Sequence, residues 1–148
     1  MRGFHEGHPF LVHLRAEHER IHEDVCEIER ALAARSDPVL PMKILDCLLN
    51  LRDELVRHFE EEERGGCIDE AASRCPRLSR EARSVERQHP QILQRLNHLI
   101  ERVDDGDSGI DDELVEDFRQ LARTLHAHEA AEHRILKEAF GYSGEEDW

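Results

Sequence analysis

Four stretches of this 148-residue chain carry apolar residues at alternating steps of three and four, and a single histidine interrupts each run. The first reads Leu11, Leu14, His18, Ile21, Val25, Ile28, Leu32, and the second reads Ile44, Leu48, Leu51, Leu55, His58, Glu62. The third reads Leu78, Ala82, Val85, His89, Ile92, Leu96, Leu99, Val103. The fourth reads Leu114, Phe118, Leu121, Leu125, His128, Glu132, Ile135. A period near 3.6 marks one face of a helix, and so narrow a stripe is buried by packing helices lengthwise. Four stripes joined by short turns predict an all-α fold, an antiparallel up-down four-helix bundle. No segment shows the two-residue alternation of a strand.

Glycine and proline punctuate the runs. Pro9 suits a first helical turn, Ser36-Asp37-Pro38 reads as a turn, and Gly65-Gly66 as a helix end. The segment Asp104 to Gly109 reads as a loop. The expected helices span about 9–35, 41–64, 76–103 and 111–140, followed by a loose tail, 141–148, in one domain covering 1–148. Cys67 to Cys75 reads as a short helix or turn. Pro90 removes one helical hydrogen bond and is expected to bend its helix.

The interrupting residues are the chemical signal. The chain has eleven histidines, more than its phenylalanine, tyrosine and tryptophan together. His18 and His58 are equidistant from Pro38, and His89 and His128 are centred on Ser108-Gly109. Antiparallel neighbours therefore bring all four histidines to one layer. Two seams continue into a glutamate four residues on, giving His58-x3-Glu62 and His128-x3-Glu132. Residues i and i+4 share a helical face about 6 Å apart along the axis. Burying six such groups costs several kcal/mol unless they pair or hold a metal. Two carboxylates can bridge two ions while four imidazoles complete their shells, a set that suits iron or manganese, and zinc also. His18, His58, Glu62, His89, His128 and Glu132 are thus the candidate metal ligands. His22, Glu61 and His133 are secondary candidates, as ligands or as partners of ligands. A ferritin-like site wants two Glu-x-x-His motifs on the seams, and only Glu86-x-x-His89 qualifies.

The net charge of −14 argues against nucleic acid and anionic membrane as partners. No apolar run is long enough to cross a bilayer, and the opening MRGFHEGHPF lacks the apolar core of a secretory signal. The expected location is cytoplasmic. Cys26, Cys47, Cys67 and Cys75 form no CxxC pair and are expected as reduced thiols.

At AEHERI around His18, HFEEEE from His58, RQHPQIL around His89 and HAHEAAEHRIL from His126, the chain resembles the hemerythrin family, in particular its HHE cation-binding branch. The likeness runs from about His8 to Phe140. It implies a centre of two non-haem iron ions that binds dioxygen. The ligands would be His18, His58, Glu62, His89, His128 and Glu132, with the two glutamates bridging. Two departures bear on function. Oxygen carriers of the family have a further histidine four residues after the third-helix one, where this chain has Leu93. They also place an aspartate five residues after the last-helix histidine, where His133 stands and Glu132 precedes it. Both argue against reversible carriage and favour a site with one less-filled metal, as expected for sensing, metal handling or oxidation chemistry. The leading expectation is binding or sensing of dioxygen or a related small diatomic. The alternatives are a metal- or redox-responsive regulatory module and a di-metal oxidase or peroxide-handling enzyme. No separate catalytic residue is identifiable.

Overall fold

The computed structural model describes residues 9–34, 39–106 and 110–141, with side chains described from residue 12 onward. The described residues are helical, with no strand among them. The helices are α1 (Pro9–Ala33), α2 (Leu40–Gly65), α3 (Cys67–Arg74), α4 (Ser79–Asp105) and α5 (Asp112–Phe140). A single 3-10 turn, Pro76–Leu78, leads into α4. The side chain of Leu11, the turn at 36–38, the loop tip at 107–109, the tail beyond Gly141, and His5 and His8 lie outside the described residues.

Local chemistry explains the helix ends. Pro41 sits in the first turn of α2, where a missing N–H costs nothing. Gly66 then ends α2 in the left-handed region at φ 68°, a conformation that favours glycine. The Asp111 side chain accepts from the Leu114 backbone N–H at 2.8 Å and caps α5. Asp112 and Glu113 follow in its first turn, where the helix dipole favours negative charge. α4 runs unbroken through Pro90. The segment after Gly66, ambiguous between helix and turn in sequence, is the helix α3, which buries Cys67, Ile68 and Ala71.

α1 packs on α2, α2 on α4, and α4 on α5, while α3 lies against α4 and α5. The described seam residues are buried, except for Val25, which is partly buried. The buried apolar residues form two separate cores. The larger includes Ile21, Ile28, Leu51, Leu55, Ile92, Leu96, Phe118 and Leu125. The smaller includes Leu14, Val85, Ile135 and Phe140 with the buried residues of α3. Along α1, His18 falls between Leu14 of one core and Ile21 of the other, and along α4, His89 falls between Val85 and Ile92. On α5, His128 and Glu132 fall between Leu125 and Ile135. The polar residues on the seams thus form the boundary between two apolar cores. All four cysteines are free. Burial, together with the charges of Glu62, Glu70 and Glu132, pushes the Cys67 thiol up to about 12, so it packs as a small apolar residue.

Candidate metal centre

At that boundary α1, α2, α4 and α5 bring together the six residues that the seams single out. Their side chains form two groups of four, His18-His58-Glu62-Glu132 and Glu62-His89-His128-Glu132. Within each group the donor atoms lie within 4.8 Å of one another, and both carboxylates belong to both groups. The His18 and His58 Nε2 atoms are 3.0 Å apart. Glu62 reaches towards His58 Nε2 with Oε2 at 3.4 Å and towards His89 Nε2 with Oε1 at 3.3 Å. Glu132 does the same from the other side, with Oε1 3.4 Å from His18 Nε2 and Oε2 3.1 Å from His128 Nε2. Each carboxylate therefore spans the two groups.

The rings of His58, His89 and His128 are anchored from behind by side-chain oxygens. His58 Nδ1 donates to Glu17 Oε1 at 2.7 Å, His89 Nδ1 to Glu63 Oε2 at 2.8 Å, and His128 Nδ1 to Gln88 Oε1 at 2.7 Å. The oxygen partners can only accept, so each Nδ1 carries the proton. In the neutral ring this leaves an Nε2 lone pair pointing inward, the arrangement of a ring poised to bind a metal. Phe59 stacks on His89 with ring centres 4.0 Å apart and planes 7° apart, closing one side with an apolar face.

The interior fits a metal better than it fits hydrogen bonding alone. His89 Nε2, His128 Nε2, Glu62 Oε1 and both Glu132 oxygens are buried without an aligned hydrogen bond, despite contacts of 3.1–3.5 Å. Each such buried atom costs about 1–3 kcal/mol. Metal–nitrogen bonds of about 2.1 Å at right angles place neighbouring donors about 3 Å apart, which is the spacing found here. Electrostatics point the same way. Burial pushes His58 down, but hydrogen bonds with Glu17 and Glu62 and the charges of Glu62 and Glu132 outweigh it and raise the ring to about 10. His89 is likewise raised to about 10 against burial, by Glu132, Glu62 and Glu63. Burial pushes Glu132 up, but His128, His18 and His89 hold it well below the usual carboxylate range. Without a cation these groups must share protons, and a bound metal would displace them.

The remaining candidates lie elsewhere. His22 and His133 line a cavity of about 510 Å³ between α1 and α5, together with His18, His126 and Glu129. His22 also contacts Cys26 Sγ at 3.6 Å. Glu61 faces His13 at 2.7 Å and is outside both groups of four. Glu86 sits beside Asp69, so the one Glu-x-x-His match on the seams brings its histidine to the cluster without its glutamate. Glu17, Glu63, Gln88 and Phe59 are not singled out by the seam pattern. The available signal was adjacency, since Glu17, Gln88 and Phe59 each lie next to a seam histidine and Glu63 next to Glu62.

No described helix is long and apolar enough to cross a membrane. The family model of the hemerythrin HHE cation binding domain matches residues 9–140. Neither the curated proteins nor the solved structures give a match.

Proposed function

The chain belongs to the hemerythrin HHE cation-binding family, and from that premise we propose that it is a non-haem di-iron protein that binds or senses dioxygen or a related small diatomic. The observation that carries this reading is the pair of four-donor groups sharing Glu62 and Glu132. His18, His58, Glu62 and Glu132 would hold one ion and Glu62, His89, His128 and Glu132 the other, the two glutamates being common to both groups. The long helices α1, α2, α4 and α5 form an antiparallel up-down bundle in a single domain. Manganese or zinc fits the same donors, and metal supply selects among them.

Bound iron would supply an open coordination position and a change of oxidation state. The chain's own residues do the rest. Glu17, Glu63 and Gln88 fix the orientation of three rings, and Phe59 keeps water from one side. The cavity beside His18 gives small molecules access. The family's carriers have a fifth histidine where this chain has Leu93, which packs against the larger apolar core. The reading therefore favours sensing or one-way oxidation over reversible carriage. The net charge of −14 argues against nucleic acid or an anionic membrane as partner.

A second reading is a peroxide-handling enzyme, since the cavity beside His18 that admits dioxygen also admits hydrogen peroxide, a molecule of similar size. One experiment addresses both. The chain is loaded with Fe²⁺ anaerobically, its optical spectrum is recorded, and air is then admitted. A new band that degassing does not remove is expected. A band that reverses restores carriage, and no change on exposure to air contradicts the proposal. Hydrogen peroxide added to the same sample, with dioxygen release followed, separates the enzyme reading.

A further inference from the structure

A third group of potential ligands lies outside the buried cluster, on the face where α1 meets α2. His13 and Glu17 are one turn apart on α1, and Glu61 reaches them from α2. His13 Nε2 is 2.7 Å from Glu61 Oε1 and 3.1 Å from Glu17 Oε2. Donor atoms of all three lie within 4.8 Å of one another. We propose that His13, Glu17 and Glu61 form a peripheral site for a divalent transition cation, separate from the buried centre and joined to it through Glu17.

Three observations support the site. The first is its donor set. One imidazole and two carboxylates suit zinc, manganese or ferrous iron, whereas calcium and magnesium favour oxygen alone. The second is its construction. The Glu17 side chain is 5% exposed, too deep for an ordinary solvated surface carboxylate, yet one of its oxygens faces outward to His13. The side chains of His13 and Glu61 are 49% and 32% exposed, so a hydrated ion can reach the group and keep water on its free positions. The third is the division of labour on Glu17. Its Oε1 accepts from His58 Nδ1 at 2.7 Å, while Oε2 faces His13. A cation can therefore take Oε2 without releasing the His58 ring. An ion held there draws charge from the carboxylate that orients His58, so the outer site would adjust the inner one.

The rival explanation is a protonated His13 paired with two carboxylates. A titration of the full chain with Mn²⁺, before and after iron loading, decides between them. The signal of free aqueous Mn²⁺ is followed by electron paramagnetic resonance, and iron per chain is measured separately. The iron-loaded wild type should take up one Mn²⁺ per chain that both His13→Ala and Glu61→Gln lose, with their iron content unchanged. Equal Mn²⁺ uptake by all three proteins would overturn the proposal and leave His13 as an ion pair only. Both substitutions change partly exposed side chains, and either alone is decisive. A chain that failed to hold iron yet kept one His13-dependent Mn²⁺ would sink the di-iron reading and leave this one standing.

Discussion

Gln88 has no charge and no seam position, yet it accepts the Nδ1 proton of His128 and so fixes which nitrogen faces inward. Gln88→Leu removes that acceptor and leaves a ring N–H unsatisfied. Metal affinity should fall by roughly 10–100-fold, as for other residues that orient a ligand. The metal-free protein should lose about 1–3 kcal/mol. Competition against a chelator and urea unfolding read the two effects, and unchanged affinity would show that the ring needs no anchor. The six clustered residues were legible because a polar group on an apolar seam has little alternative to burial. Gln88, Glu17 and Glu63 were not. Each lies one step from a seam residue, on a face that looks solvated in sequence. Only packing against the neighbouring helix brings its oxygen onto a histidine Nδ1.

Among the elements, α4 is the least expected. A proline inside a helix removes a hydrogen bond and presses on the carbonyl four residues back, at Glu86. α4 nevertheless continues from Ser79 to Asp105 through Pro90, whose side chain is exposed. Burial of Val85, His89, Ile92 and Leu96 on the opposite face holds the helix together. Pro90→Ala restores the hydrogen bond and should stabilise the metal-free chain by about 1–3 kcal/mol, with metal affinity unchanged. Unfolding by urea checks the first expectation. A loss of stability would mean that the proline's fixed backbone is itself used. The long helices were legible from their period. α3 was less so, because the eight residues of Cys67–Arg74 complete barely two turns and cannot establish a period. Its helical state follows from the left-handed Gly66 and from burial of Cys67, Ile68 and Ala71 in the smaller core.

Across the whole molecule the two halves are wired alike. Glu17, just before His18, anchors His58 on the next helix, 41 residues on. Gln88, just before His89, anchors His128, 40 residues on. Each half then contributes two imidazoles and one glutamate to a layer between two apolar cores. Such a layer weakens the metal-free fold and strengthens the loaded one, since an ion bound only by the folded chain stabilises it by mass action. The central claim, that this layer is a two-metal centre, is tested most directly by counting metal per chain. Protein from iron-supplied cells should carry two ions, and His58→Ala should lose metal and unfold at a lower temperature than wild type. Fewer than about one ion per wild-type chain, with no further loss on removing His58, would contradict the account.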